Sequence, residues 1–257
     1  MQLHYKIYGT GQPVLLIHGF GEDSTVWDKQ TNFLKDKYKL IVPDLPGTGA
    51  SPLLQKENAT ISDYAELIKQ LLDEEKIEKV TMIGHSMGGY ITLAFAEKYP
   101  EMLIAFGLVH SGAFADDEEK IATRRKGIKF IKDNGAEAFL KTSTPGLFYN
   151  PEKSKAGIAA TIQKGKSSSA DALVQYYEAM ISRPDRTHVI KAFPKPILFI
   201  IGEHDKAVPF AQSMKQCHMP ALAHIHILRN SAHMGMVEET EKMNEILGEF
   251  LQTVQLT

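Results

Sequence analysis

Apolar residues recur along the chain as short unbroken runs separated by stretches of helical spacing. Val14-Leu15-Leu16-Ile17, Leu40-Ile41-Val42, Val80-Thr81-Met82-Ile83, Ala105 to Val109, Ile197 to Ile201 and Ile225-His226-Ile227-Leu228 contain almost no polar alternation. Such runs predict strands covered on both faces, as in a parallel sheet. Gln2 to Tyr8 differs: Leu3, Tyr5 and Ile7 alternate with His4, Lys6 and Tyr8, which predicts a half-exposed strand near a sheet edge.

Between the runs, Tyr64, Leu67, Ile68, Leu71 and Leu72 fall at helical intervals behind a Thr60-x-x-Asp63 start signal. Tyr90 to Tyr99 predicts a helix that stops at Pro100, and Glu239 to Leu251 places Met243, Ile246, Leu247 and Phe250 on one face. Strands alternating with helices define an α/β fold with a mainly parallel sheet and helices on both faces.

The alternation fails between residues 114 and 188, where helical patterns occur without a buried-strand run. In Ala170 to Ser182 an apolar stripe of Leu173, Val174, Tyr177, Met180 and Ile181 is too broad for a helix exposed on all sides. About 75 residues is long for one connection, so a helical cap inserted over the sheet is expected. The core would then comprise 1–113 and 189–257, and the cap 114–188.

Composition narrows the classes. The 257 residues carry 29 Lys and Arg against 31 Asp and Glu, a formal charge of −2, which argues against a nucleic-acid surface. The longest apolar run, Met102 to Val109, is far short of the roughly 20 residues that span a bilayer. One cysteine, Cys217, leaves no intrachain disulfide. No basic start precedes an apolar stretch, so a cytoplasmic protein without a signal peptide is expected.

The chemistry concentrates at strand ends. Gly84-His85-Ser86-Met87-Gly88 follows one run directly and opens a helix, the setting that the G-x-S-x-G pattern requires. Glycines two residues either side of Ser86 remove collisions in a strained turn, and the helix start presents unpaired amides. A serine hydroxyl needs a base, and the base an orienting acid. Asp205, in Gly202-Glu203-His204-Asp205, and His233, in Ser231-Ala232-His233-Met234, each close a later run in that order. Ligand sites of such sheets lie beyond the carboxyl ends of the strands, where all three would meet. Glu203 is the rival acid, and Asp116 and Asp117 sit too far into the insertion. His233 could otherwise be one of ten ordinary histidines.

His18-Gly19-Phe20-Gly21 can aim the Phe20 amide at a carbonyl oxygen attacked by Ser86, forming an oxyanion hole with the amide of Met87. The loop Pro43 to Ser51 lacks the ending of a phosphate loop and reads as structural. His224-x-His226 with Cys217-His218 lacks zinc-site spacing, so neither a metal nor another cofactor is expected. Among the insertion's aromatic residues, Phe148 and Tyr177, with Phe20, are the expected substrate-binding side chains.

From about His4 to its end the chain resembles the α/β-hydrolase superfamily, specifically small serine esterase-like enzymes with a helical cap. The likeness rests on His18-Gly19-Phe20, the Asp44 to Ser51 loop, Gly84 to Gly89, Gly202 to Asp205, His233, and Arg183-Pro184-Asp185-Arg186 leading from cap to core. It implies Ser86 as nucleophile, His233 as base and Asp205 as acid, with amide donors from Phe20 and Met87. It implies a sheet of about seven strands, the first strand of the eight-stranded family sheet being absent. Relatives that open epoxides or remove halides carry aspartate at the position of Ser86, so the resemblance points elsewhere, to hydrolysis of a small carboxylic ester or related acyl compound. Lactonase, thioesterase and carbon–carbon bond hydrolase activities stay open, as does a slow-turnover ligand receptor. A small-molecule acyl substrate is the expected partner, and the oligomeric state is not readable.

Overall fold

The computed structural model describes residues 1–255; positions 256 and 257 of the expected core segment lie outside the described residues. Its centre is a seven-stranded sheet. The strands are β1 (Tyr5–Tyr8), β2 (Gln12–Ile17), β3 (Tyr38–Pro43), β4 (Val80–His85), β5 (Leu103–Val109), β6 (Ile197–Gly202) and β7 (Ala223–Leu228), in the order β1-β3-β2-β4-β5-β6-β7. β1 runs antiparallel to β3, and every other pairing is parallel. The order reverses between β2 and β4, so the crevice that binds ligands in open α/β sheets opens beside the end of β4.

Helices clothe both faces, and the pleat divides each inner strand between two cores. Leu15 and Ile17 point to one, with Phe106 and Phe199, beneath α2 (Ile61–Glu74) and α3 (Met87–Lys98). Val14 and Leu16 point to the other, with Leu198 and Ile200. There Trp27 and Leu34 from the segment around α1 (Asp28–Leu34) pack with Met243, Ile246, Leu247 and Phe250. The start signal before α2 is a complete capping box: Thr60 accepts from the amide of Asp63, and the Asp63 carboxylate accepts from the amide of Thr60 at 2.9 Å.

Among the described residues no strand falls between β5 and β6. That segment holds α4 (Glu118–Asn134), α5 (Ala136–Ser143), α6 (Lys155–Gly165) and α7 (Ala170–Ile181), and then α8 (Thr187–Ala192) returns the chain to the sheet. α4 packs on both α5 and α7. Arg186 anchors the return, its amide donating to Ala113 O at 2.7 Å and its guanidinium to Glu97 at 3.0 Å. The last elements are α9 (Phe210–Cys217), α10 (Gly235–Glu238) and α11 (Thr240–Gln255).

One expectation needs correcting. The run Ile225 to Leu228 is not covered on both faces: β7 ends the sheet, and Ile225 and Ile227 are 40% and 39% exposed. Only the alternate face is packed, His224 meeting the ring of Phe250. Hydrophobicity records that a position suits a strand, and the strand's place in the sheet decides how many faces are covered.

Candidate active site

β4 leads directly into Ser86, whose backbone takes φ 51° and ψ −115°, a left-handed conformation that side chains rarely adopt. Three contacts hold it there. The Ser86 amide donates to Val109 O at 2.9 Å, and its carbonyl accepts from the Gly89 amide at 2.9 Å and from Ser111 Oγ at 2.7 Å. A β-carbon at Gly84 would lie 2.3 Å from Gly88 O, and one at Gly88 would lie 2.4 Å from Ile17 O. These clashes against backbone explain why both positions of the motif require glycine.

The turn aims Ser86 Oγ at His233, with 2.9 Å to Nε2, and His233 Nδ1 lies 2.7 Å from Asp205 Oδ2. A carboxylate can only accept, so the imidazole proton sits on Nδ1 and leaves Nε2 as the acceptor for the serine hydroxyl. The other oxygen of Asp205 accepts from the amides of Ala207 and Val208 at 2.8 and 2.9 Å. Burial alone would raise this carboxyl; the charge and hydrogen bond of His233, with the nearby ring of His110, outweigh it and hold Asp205 well below the usual range. Ser86, Asp205 and His233 are therefore brought together, whereas Glu203 is exposed on the same turn.

Phe20 lines the same space, and Met87 follows Ser86 in the chain. Met87 is the first residue of α3, so its amide is among the helix-start donors without an intrahelical acceptor. The loop carrying Phe20 is fixed from both sides. The amide of Gly19 donates to Glu22 Oε2 at 2.7 Å; His18 Nε2 accepts from the Leu45 amide at 2.9 Å, leaving Nδ1–H to donate to Gly19 O at 2.8 Å. The Phe20 ring stacks on Tyr177 with centroids 4.2 Å apart.

A cavity of about 430 Å³ opens in front of Ser86, walled by Phe20, Tyr90, Leu147, Tyr177, Met180 and Val208, with Arg124 from α4. Phe148 does not line it. That ring is buried in the core on the α1 and α11 side of the sheet, and its neighbour Leu147 reaches the cavity instead. Adjacent residues on an irregular segment face opposite ways, and composition does not say which faces in.

Sequence reasoning also missed a buried layer behind the serine. His85 Nδ1 lies 2.9 Å from Glu22 Oε2, and its Nε2 lies 3.0 Å from the carbonyl of His233. Both ring nitrogens face acceptors, which favours the imidazolium. Burial would lower its pKa, but the Glu22 charge and hydrogen bond, with the carbonyl, leave it raised; Glu22, which burial would raise, is drawn down by His85. His110, at φ 47°, directs Nε2 to the Gly235 amide at 3.1 Å and keeps Nδ1 3.6 Å from Asp205. Burial pushes His110 down to about 4 despite that carboxylate. The one legible signal was position: each is a polar residue immediately beside a strand-end motif. His233 is thus gripped at its backbone as well as its ring, since its amide donates to Leu147 O at 2.9 Å.

The strand order, the strained serine turn and the crevice beside β4 define an α/β-hydrolase. The family model for the alpha/beta hydrolase fold matches residues 12–240, and the chain belongs to that family. It is similar to a thermophilic esterase from Thermogutta terrifontis, solved with malate bound. The two share 28% identity and a TM-score of 0.92, over 98% of this chain and 93% of that one. A 2-hydroxy-6-oxononadienedioate/2-hydroxy-6-oxononatrienedioate hydrolase from Paraburkholderia phymatum is 25% identical, over 98% of this chain and 91% of its own. A pimeloyl-acyl-carrier-protein methyl ester esterase from Legionella pneumophila is 25% identical over 98% of this chain and 100% of its own. The protein is a hydrolase. Among the described residues no helix is long and apolar enough to cross a membrane.

Proposed function

We propose that the protein hydrolyses a small carboxylic ester or related acyl compound through an acyl-enzyme on Ser86. The observation that carries this reading is the continuous relay from Ser86 Oγ to His233 Nε2 at 2.9 Å and from His233 Nδ1 to Asp205 at 2.7 Å. His233 takes the serine proton as Oγ bonds to the carbonyl carbon. Asp205 orients the ring and stabilises the imidazolium that forms. The amides of Phe20 and Met87 hold the oxyanion. Collapse of the tetrahedral intermediate breaks the bond to the leaving alkoxide, which receives the proton from His233. A water then gives its proton to His233 and attacks the acyl-enzyme, releasing the acid and restoring the serine, so that ester and water become acid and alcohol.

The esterases among the similar proteins support the ester reading, and the apolar wall of Phe20, Leu147, Tyr177 and Met180 suits a short acyl group. The helices of 114–188 act here as a cap domain on a core of 1–113 and 189–257, and Phe20 and Tyr177 as substrate contacts. The decisive test is labelling with a fluorophosphonate located by mass spectrometry, together with turnover of p-nitrophenyl esters. Wild type should be labelled on Ser86, and Ser86→Ala should lose both labelling and turnover, the latter on the order of 10⁶-fold. Native-rate turnover by Ser86→Ala would refute the assignment.

A further inference from the structure

Beside the cavity two guanidinium groups share one buried carboxylate. The side chain of Asp116 is fully buried and meets two guanidinium groups: Arg124 Nε at 2.5 Å with Nη2 at 3.4 Å, and Arg183 Nη2 at 2.9 Å. One carboxylate neutralises one of them. Arg183 is spent inside the protein, donating also to Met180 O at 2.7 Å and Phe114 O at 3.0 Å and stacking 3.9 Å from the ring of Tyr90. Arg124 instead lines the cavity, its guanidinium 5.6 Å from the centre of the Tyr177 ring. Both of its bonds go to Asp116, and among the described residues its Nη1 has no protein acceptor.

Among the described residues no acidic group other than Asp116 bonds to Arg124. At the rim Asp117 and Glu119 balance Lys120 and Lys206. Lys120 already donates to Ala207 O, and Asp117 caps α4. Glu22 is matched by His85, and the oxygens of Asp205 are taken up by the His233 N–H and two amides. The phenol of Tyr90 lies in the field of these cations: burial and Asp116 would raise it, yet Arg183, Lys120 and Arg124 draw it below its ordinary value. A partly buried guanidinium with an open edge is a site for a planar carboxylate, which it can grip through two N–H groups.

We infer that the substrate is itself an anion, an acyl compound carrying a carboxylate at the end remote from the scissile bond, such as a half-ester of a short dicarboxylic acid, held by Arg124. This rests on the hydrolase reading of the same site and narrows it. The hydrocarbon between the two ends lies along Phe20, Tyr177 and Met180, and the carboxylate pairs with the guanidinium edge that Asp116 leaves open.

The test compares mono-p-nitrophenyl succinate, glutarate and adipate with neutral p-nitrophenyl esters of equal chain length. Wild type should favour at least one carboxylate-bearing ester over its neutral counterpart by about ten- to a hundred-fold in kcat/KM, chiefly through KM, as a charge-assisted hydrogen bond provides. The ratio should collapse towards one in Arg124→Gln and partly recover in Arg124→Lys. Because either variant can be lost to misfolding, wild type alone provides a second measurement. The matching dicarboxylate should protect Ser86 from fluorophosphonate at a concentration at least ten-fold below its neutral diamide, with the difference shrinking in high salt.

Equal ratios and equal protection in wild type would overturn the carboxylate site while leaving the hydrolase intact. A preference that survives in folded Arg124→Gln would overturn the role of Arg124. Absence of both labelling and turnover would overturn the hydrolase reading and this inference with it.

Discussion

Glu22→Gln isolates the electrostatics of the layer behind the nucleophile. In the wild type a single oxygen, Oε2, accepts from both the Gly19 amide and His85, and the two side chains are 5% and 1% exposed. An amide cannot replace it without loss. If the glutamine oxygen serves Gly19, then His85 must either stay charged without a counter-ion or become neutral. A neutral ring that donates to that oxygen turns a bare Nε2 towards the carbonyl of His233. Removing one partner of a buried ion pair costs about 3–5 kcal/mol. For a chain of this size that lowers the unfolding midpoint on the order of 10 °C.

The pH dependence carries the sharper test. His85 has a raised pKa when folded, so its contribution is complete below the free-imidazole value of 6.5 and disappears as pH rises through the folded value. Glu22 has a lowered pKa, so its contribution is complete above 4.5 and disappears as pH falls through its folded value. The gap between wild type and variant should be widest between those two values and narrow in alkaline buffer. Thermal unfolding followed by circular dichroism at pH 6 and pH 9 measures it. A gap that is absent at pH 6 would show that the pair is not ionic.

Three further outcomes are expected. Asp205→Asn should retain the fold's outline but lose on the order of 10⁴-fold in ester turnover, because an amide cannot hold the required tautomer of His233; steady-state kinetics at pH 7 to 8 reads this. Gly88→Ala drives a β-carbon against the backbone carbonyl of Ile17, so the soluble yield and unfolding midpoint should both fall, whereas an alanine at the unobstructed Gly146 should not lower them comparably. His110→Val and His110→Asn both remove the imidazole that accepts from Gly235, but only valine resists φ 47°. The valine variant should therefore be roughly 1–2 kcal/mol less stable than the asparagine variant in urea unfolding, and equal stabilities would remove strain from the account.

Much of the architecture was legible because burial leaves a periodic record. The six apolar runs mark β2 to β7, the alternation before Gly9 marks an edge strand, and Thr60 with Asp63 marks the start of α2. The G-x-S-x-G turn, Asp205 and His233 were readable for a related reason: each stands where a run ends, and parallel strands end on one side of the sheet. What escaped notice had no period. The exposure of Ile225 and Ile227 depends on β7 lacking a neighbour, and the inward turn of Leu147 rather than Phe148 depends on the path of a loop.

By itself, then, the order of residues determined the layered fold, the strand-end motifs and the trio of side chains that meet there, since these follow from local spacing and from the one-sidedness of a parallel sheet. Tertiary structure alone decided which charges neutralise one another. Glu22 and His85 lie 63 positions apart, His85 reaches the carbonyl of a residue 148 positions away, and Asp116 is shared with Arg183, 67 positions on. Electrostatic energy depends on distance and desolvation in space, and neither quantity is carried by the sequence interval between two charged residues.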